Sequence, residues 1–339
     1  MFLRNYWYVA ALAEEVGRTP IRRQILNEPV VMYRTEAGRP VALLDMCPHR
    51  NLPLSMGQLV GDNLRCGYHG LTFDPSGKCV RVPGQVNIPP RCRARAYSLV
   101  EKWRWLWIWM GDPAEADETA IPEFYWNDDP AWTYTGGHFH IRCNYQLLVD
   151  NLLDLSHEAY VHPSTIGNDA VAETPCKTDV HGTTVRTYRL MENCPPPPLY
   201  VKLRGFAENI DRTQDITFKP PATILIKSKS VPHGAPDRAN SGLEYRVVNG
   251  ITPADETSCH HFWAVPRNFA PDPEITKLFH AGSVRAFSED VVVLEAQQAA
   301  LERRPRDMQW IDVNADSGGV AARRVTAKLL AEEQTLRSA

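Results

Sequence analysis

The chain has 339 residues, of which 43% are hydrophobic and 23% are charged, and its formal net charge is −3. This length allows two domains with sizeable cores, and the composition is that of an ordinary globular protein. The weakly acidic balance argues against nucleic-acid binding, which usually shows as a strongly basic domain. No apolar run approaches the ~20 residues that cross a bilayer, and the first residues do not resemble a signal peptide. We therefore expect a cytoplasmic protein with no nucleic acid or membrane as partner.

Residues 1–118 are predicted to be mostly β-structure. Residues 30–34 and 41–44 are strand-like and are separated by a turn that contains Gly and Pro. Residues 71–82 predict a hairpin around the turn Asp-Pro-Ser-Gly. Residues 105–109 alternate Trp with aliphatic residues, which indicates a core strand buried on both faces.

Two short loops within this β-rich part each offer one thiol and one imidazole: Cys47 with His49, and Cys66 with His69. Sixteen residues separate His49 from Cys66, which leaves room for a β-hairpin that brings the loops together. Two Cys and two His can hold a structural zinc ion or a Rieske [2Fe–2S] cluster. A Rieske cluster takes one Cys and one His from each loop, whereas zinc fingers usually pair Cys with Cys and His with His. The order therefore favours the Rieske cluster, with zinc as the alternative.

Residues 119–339 are predicted to form a second domain of mixed α and β structure. Apolar residues recur at helical spacing from Asn144 to about His162. Residues 180–270 contain alternating, β-branched segments that predict an antiparallel sheet, and the run of prolines at 195–198 predicts a loop. The remaining predicted elements are a long helix at 272–303 and a shorter one at 318–335.

His157 and His162 form a second candidate metal site in the pattern Asp-x2-His-x4-His, which begins at Asp154. Two imidazoles and one carboxylate make the facial triad of non-haem Fe(II), with open positions for O2. Five residues correspond to roughly 140° on an ideal helix. Both imidazoles can therefore face one ion only if a π-type turn distorts the helix or the helix ends near residue 160. Pro163 favours an ending.

The carboxylate of such a triad must come from elsewhere in the chain. Glu289, Asp290 and Glu295 are candidates, because all three fall in the long predicted helix. Asp290 shares a helical face with Phe287 and points inward, whereas Glu289 is expected to be turned away. Periodicity therefore favours Asp290.

The two loop motifs, Cys-Pro-His-Arg from Cys47 and Cys-x-Tyr-His-Gly-Leu-x-Phe from Cys66, resemble the cluster loops of the Rieske non-haem iron oxygenases. Residues 4–10 and 107–113 resemble one branch of that family, which contains the vanillate O-demethylase oxygenase components. The resemblance implies an α+β chain: an N-terminal all-β Rieske domain at 1–118 and a helix-grip-like catalytic domain at 119–339. It also implies a [2Fe–2S] cluster on Cys47, His49, Cys66 and His69, and mononuclear Fe(II) on His157, His162 and Asp290.

Two further residues acquire roles from the resemblance. In the family, an Asp at the position of Asp154 links the mononuclear site to a Rieske histidine of a neighbouring subunit. A local alternative is a carboxylate that fixes the tautomer of a ligand histidine. Asn151, one turn earlier, resembles a family residue near the iron, and its alternative is a helix-packing amide.

The resemblance implies the terminal oxygenase component of a multicomponent monooxygenase that oxidises a methoxy or methyl group of an aromatic acid. O-demethylation of a vanillate-like methoxybenzoate, with release of formaldehyde, is the principal expectation. The alternatives are methyl hydroxylation of a toluenesulfonate-like substrate and a Rieske electron carrier without oxygenase activity. The second triad argues against the carrier, which has no use for an iron with open positions.

The expected partners follow from a motif that the chain lacks and from the family resemblance. It has no Gly-x-Gly-x-x-Gly fingerprint after a strand, so NADH must be oxidised by a separate flavin and iron–sulfur reductase. The resemblance also implies a head-to-tail homotrimer. Candidate residues for a reductase-docking face are Arg50, Arg65, Arg91, Arg93 and Arg95, and those for binding an anionic substrate are Arg204, Lys227, Lys229, Arg246 and Arg285.

Overall fold

A computed structural model describes residues 1–237, 242–305 and 307–338 of the chain. These residues divide into two compact units. The first comprises Phe2–Glu123 together with the short segment Thr252–Glu256, and the second comprises most of the remaining chain. The chain first passes from one unit to the other after Glu123. The boundary at residue 118 stays a prediction.

The first unit contains a six-stranded and a four-stranded antiparallel sheet, in the orders β1-β10-β9-β4-β3-β2 and β5-β6-β7-β8. The strands are β1 Trp7–Leu12, β2 Ile21–Ile25, β3 Glu28–Arg34, β4 Pro40–Leu44, β5 Gln58–Val60, β6 Asn63–Arg65, β7 Thr72–Phe73, β8 Cys79–Arg81, β9 Ala96–Lys102 and β10 Trp105–Trp109. The strands predicted at 30–34, 41–44 and 105–109 are confirmed, and all five residues of β10 are buried. With large apolar side chains on both faces, β10 is therefore a strand buried on both sides, between β1 and β9.

In its described residues, the second unit has a seven-stranded antiparallel sheet, in the order β11-β17-β16-β15-β14-β13-β12, and six helices. Its strands are β11 Gly136–Ile141, β12 Lys177–His181, β13 Thr184–Cys194, β14 Ile210–Lys219, β15 Thr223–Pro232, β16 Leu243–Pro253 and β17 Cys259–Ala264. Its helices are α1 Tyr145–Leu153, α2 Glu158–Val161, α3 Asp169–Glu173, α4 Pro198–Arg204, α5 Pro273–Glu302 and α6 Ser317–Ser338. The predicted α+β class is confirmed.

Two local predictions need correction. The helix predicted from Asn144 to His162 is interrupted at Asp154, whose carboxylate accepts a hydrogen bond from Ser156 N and starts a 3-10 turn. The predicted proline loop ends one residue early, because Pro198 is the first residue of α4. Proline fits there, since the first helical position needs no N–H donor.

Helix α5 covers the sheet with one face. Its buried residues Phe279, Ala286, Phe287, Asp290 and Leu294 share one helical face, with separations of three, four and seven positions among them, and Asp290 is the polar member. A carboxylate on an otherwise apolar face indicates a functional site, since burying an unpaired charge is costly. Within the described ranges, no helix combines the length and the apolar composition that a membrane span requires.

Candidate active site

The two cysteine-containing loops of the first unit have the same backbone geometry. The amide of Cys47 donates to Leu52 O at 2.9 Å, and the amide of Cys66 donates to Leu71 O at 2.8 Å. Each hydrogen bond closes a loop of six residues, in which the histidine follows Cys47 by two positions and Cys66 by three. Gly70 permits the second loop, because its φ of +73° is unfavourable for most other residues.

The β5–β6 hairpin joins the two loops and brings their side chains together, as the sixteen-residue spacing predicted. The ring centroids of His49 and His69 are 4.6 Å apart. Both imidazoles are exposed, whereas Cys47 and Cys66 are only 2% and 3% exposed and belong to the hydrophobic core. Two buried thiols beneath two exposed imidazoles fit a cluster held by cysteines on the inner iron and histidines on the outer iron.

The electrostatics of the thiols also fit a metal cluster. Burial, together with the neighbouring Cys66 thiol, raises the pKa of Cys47 to about 11. An isolated thiolate is therefore disfavoured at this position. Ferric or ferrous ions supply the positive charge that would stabilise it, since a coordinating thiol is deprotonated.

The second unit brings His157, His162 and Asp290 together. Their ligand atoms lie within 4.8 Å of one another, and the three residues form the one such group found among the described His, Cys, Asp and Glu residues. Asp290 Oδ1 lies 3.4 Å from His157 Nε2 and 3.2 Å from His162 Nε2. The interruption at Asp154 and the end of α2 at Val161 make this convergence possible. The predicted helix ending near residue 160 is thereby confirmed.

The other ring nitrogen of each histidine has a partner that fixes the ring. His157 Nδ1 donates to the carbonyl oxygen of Asp154 at 2.6 Å, and His162 Nδ1 donates to Glu289 Oε2 at 2.8 Å. Both rings therefore direct Nε2 towards Asp290, as neutral imidazole ligands do when the second nitrogen carries the proton. The prediction that Glu289 is turned away is wrong. Its carboxylate reaches back from α5 to His162.

The pKa values show that this group is matched to a cation. Burial alone would raise the pKa of Asp290, but hydrogen bonds and charges from His157 and His162 lower it well below its usual value. Burial likewise opposes the protonation of both histidines. The hydrogen bonds and negative charge of Asp290 have a larger, opposite effect, so the pKa of each histidine is raised. The site thus attracts positive charge. A divalent metal would displace these protons, because metal and proton compete for the same nitrogen atoms.

The two remaining sequence candidates also lie at this site. Asn151 Nδ2 donates to Asp290 Oδ1 at 3.1 Å, so the amide orients the carboxylate. The carboxylate of Asp154 accepts from Ser156 N at 2.8 Å and Ser156 Oγ at 2.9 Å, while its carbonyl accepts from His157. Asp154 therefore contacts the ligand histidine through its backbone rather than its carboxylate. Glu295 lies away from the triad and pairs with Arg142 at 2.8 Å.

A cavity lies against the triad, and its empty space is about 680 Å³ when the part that is open to solvent is included. Its walls come from the segment that carries the histidines, from the sheet and from one face of α5. Apolar side chains dominate the lining, and include Leu152, Leu155, Ile226, Val247, Phe279 and Phe287. An apolar cavity beside an open-sided metal site suits an aromatic ring whose substituent faces the metal.

A buried polar network lies behind this cavity and was not predicted from the sequence. Glu158 Oε2 accepts from Arg212 Nη2 at 2.9 Å, and both oxygens of Glu158 accept from Gln214 Nε2 at 3.0 Å. The side chains of Glu158 and Arg212 are 6% and 1% exposed. The one indication of this network in the sequence is Glu158, a charged residue directly after His157. Its partners come from β14, about 55 residues later, so the pairing could not be read from spacing.

The cations expected to bind an anionic substrate lie elsewhere. Among the described residues, no Lys or Arg lines the cavity beside the triad. Arg246 pairs with Glu244 and lies over the rings of Trp126 and Trp132, and Arg285 pairs with Glu289 at 3.1 Å. None of these five candidates therefore lines the cavity beside the triad.

Comparison with known proteins identifies the family of the chain. Residues 6–97 match the Rieske [2Fe–2S] domain, and residues 141–332 match the vanillate O-demethylase oxygenase C-terminal domain. The chain is 41% identical to the vanillate O-demethylase oxygenase subunit of Pseudomonas sp. (strain HR199 / DSM 7063), with 98% of this chain and 96% of that protein covered. The chain belongs to the Rieske oxygenase components.

Other relatives share the whole architecture. The chain is 40% identical to the iron–sulfur subunit TsaM1 of the toluene-4-sulfonate monooxygenase system of Comamonas testosteroni, with 98% of each chain covered. The crystal structure of dicamba monooxygenase bound to 3,6-dichlorosalicylic acid superposes with a TM-score of 0.94 at 37% identity, over 98% of this chain and 99% of that chain. The family, the fold class, the monooxygenase activity and the two cofactors, a Rieske [2Fe–2S] cluster and mononuclear iron, are therefore confirmed.

Glu289 is expected to strengthen iron binding through His162. Replacing Glu289 by Leu removes the acceptor of His162 Nδ1, and loss of such a partner typically weakens metal binding about 10- to 100-fold. Competition with a calibrated chelator measures the iron affinity. Glu295→Leu is the matched control, because this glutamate lies on the same helix but pairs with Arg142. Equal iron affinity in both variants would show that His162 does not need Glu289.

Proposed function

We propose that this oxygenase component demethylates a vanillate-like methoxyarene and releases the methyl carbon as formaldehyde. The observation that carries the proposal is the position of the apolar cavity, which lies directly against the triad of His157, His162 and Asp290. The cavity can hold an aromatic ring and leave a methoxy carbon at the metal. Similarity to the vanillate O-demethylase oxygenase subunit supports the methoxy group as the target.

The balanced reaction is the conversion of an aryl methyl ether, O2, two electrons and two protons into a phenol, formaldehyde and water. Oxygen is inserted into a C–H bond of the methoxy group, and the resulting hemiacetal breaks its O–CH2 bond. The iron supplies O2 activation when bound. His157, His162 and Asp290 would hold it on one side, and the apolar walls would exclude water and orient the ring.

The ligand assignments are part of the proposal. Cys47 and Cys66 would hold one iron of the cluster, and His49 and His69 the other. Their buried and exposed positions support this division. Electrons would come from a flavin and iron–sulfur reductase that oxidises NADH, in the cytoplasm. Homotrimerisation would place the cluster of one chain near the triad of the next.

Asp154 is proposed to link the triad of one chain to a Rieske histidine of the neighbouring chain: its carbonyl oxygen accepts from His157, and its carboxylate would accept from the neighbouring histidine. An Asp154→Asn variant should retain both metals and lose turnover by at least about 100-fold, because an amide oxygen is a weaker acceptor than a carboxylate. Iron content, the visible spectrum of the cluster and substrate turnover are the three measurements. Ser156→Ala is the control, since it removes a local donor to the same carboxylate. Full activity of Asp154→Asn would contradict the bridging role.

Formaldehyde release tests the proposed reaction. The purified protein, NADH and a compatible reductase are incubated in air with vanillate, other methoxybenzoates and toluene-4-sulfonate. Formaldehyde from a methoxybenzoate is the expected result, and the responding isomers identify the ring pattern. A hydroxymethyl product from the sulfonate alone would replace demethylation by methyl hydroxylation, the reaction class that the toluene-4-sulfonate relative suggests.

A further inference from the structure

A row of three polar side chains crosses the sheet at the cavity. Gln214 on β14 lies opposite Ser228 on β15, and Ser228 lies opposite Tyr245 on β16. All three residues line the cavity, and their neighbours in the next row, Ile226 and Val247, are apolar. The row is therefore a polar edge on an otherwise apolar binding surface.

The orientation of the Gln214 amide is determined by its neighbour. Its Nε2 donates to Glu158 Oε1 and Oε2, each at 3.0 Å. The Glu158 carboxylate also pairs with the Arg212 guanidinium, so it is ionised and can only accept hydrogen bonds. The Gln214 amide must therefore turn its NH2 group, and not its oxygen, towards Glu158. Glu158 thereby directs the amide oxygen of Gln214 away from the network.

That amide oxygen is buried and lacks a donor. Gln214 is 1% exposed, and Oε1 belongs to the buried side-chain atoms without a hydrogen-bond partner. A buried acceptor without a donor is unfavourable, so such atoms usually have a partner that is supplied from outside the chain or by water. The position of Gln214 in the cavity lining makes a bound substrate a suitable source of that donor.

The charge at this edge selects the kind of donor. Glu158 and Asp290 are the carboxylates of the lining, and within the described residues no Lys or Arg joins them. The ion pair of Glu158 with Arg212 leaves no net positive charge at this edge to attract an anion, whereas a neutral O–H or N–H group meets an acceptor. Ser228 and Tyr245 next to Gln214 are also uncharged hydrogen-bonding groups.

We propose that Gln214 Oε1 accepts a hydrogen bond from a phenolic hydroxyl of the methoxyarene, and so determines specificity for methoxyphenols. The inference rests on the proposed function and refines its substrate class. Gln214 acts on recognition rather than on the oxidised carbon. The carboxylate of an aromatic acid would then point away from this edge of the cavity.

Equilibrium binding to the iron-loaded protein, without reductase, tests the proposal. Two substrate pairs differ mainly at one hydroxyl: vanillate with 3-methoxybenzoate, and guaiacol with 1,2-dimethoxybenzene. The phenolic member of each pair is expected to bind about tenfold more tightly or better, because the other member leaves the buried oxygen unpaired. Equal affinity within both pairs, or no binding by any of the four, would overturn the proposal.

Substitution of Gln214 tests whether this residue causes the preference for phenolic ligands. Gln214→Met keeps a similar volume without the acceptor and should bring both affinity ratios close to one. Ser283→Ala is the control, because Ser283 lines the same cavity but donates to Phe279 O. Preferences that persist in Gln214→Met would overturn the assignment, and the wild-type ratios stay informative if that variant misfolds. A hydroxyl preference without formaldehyde release would contradict the proposed demethylation and leave the recognition by Gln214 intact.

Discussion

Replacing Asp290 by alanine is expected to lower the iron content from about three to about two atoms per chain and to abolish turnover. The carboxylate lies between His157 Nε2 and His162 Nε2, so its loss removes the one anionic ligand of the triad. Two neutral imidazoles alone bind Fe(II) weakly. The cluster lies in the other compact unit of the chain and should keep its visible spectrum.

Metal analysis and the visible spectrum together decide this prediction. Glu295→Ala is the matched control, because it removes a carboxylate from the same helix one and a half turns away. That variant should keep all its iron. Loss of the cluster in Asp290→Ala would indicate general unfolding, and full iron content would exclude Asp290 as a ligand.

Removing the buried charge of Glu158 is expected to cost about 3–5 kcal/mol of stability in a Glu158→Leu variant. Arg212 is 1% exposed and would remain charged beneath the cavity. Burial disfavours its charged form, but a guanidinium stays protonated in proteins, so deprotonation cannot relieve the charge once Glu158 is removed. The midpoint of thermal unfolding should fall by about 10 °C, given ~2–4 °C per kcal/mol for a domain of this size.

A double variant separates the charge from the packing. Glu158→Leu combined with Arg212→Met replaces the ion pair by apolar side chains of similar length, and should recover most of the lost stability. Chemical denaturation of the wild type, both single variants and the double variant measures the coupling between the two residues. Equal losses in Glu158→Leu and in the double variant would show that the unpaired charge is not the cause.

Local sequence patterns were sufficient for the strands and for the type of cluster that the first unit holds. Alternation of Trp and aliphatic residues identified β10, and the order Cys, His, Cys, His identified the cluster loops. These features are readable because each depends on residues close together in the chain. The long helix and the inward position of Asp290 followed from the 3.6-residue period in the same way.

Contacts across long stretches of chain could not be predicted. Periodicity placed Glu289 on the outer side of α5, but a long flexible side chain reaches around the helix to His162. The five-residue spacing of His157 and His162 left the local geometry open, and the Asp154 cap with its 3-10 turn settled it. Side-chain hydrogen bonds of this kind compete with regular helix and are hard to predict from periodicity.

The sequence by itself determined the family, the α+β class, the two cofactors and the candidate ligands, because thiols, imidazoles and carboxylates at fixed spacing restrict the metals they can hold. The tertiary structure alone decided the character of the cavity. Pairing of β14, β15 and β16 placed Gln214, Ser228 and Tyr245 in one row, and the ion pair of Glu158 with Arg212 oriented the first of them. Strand register sets which distant residues become neighbours, and no local pattern in the chain encodes it.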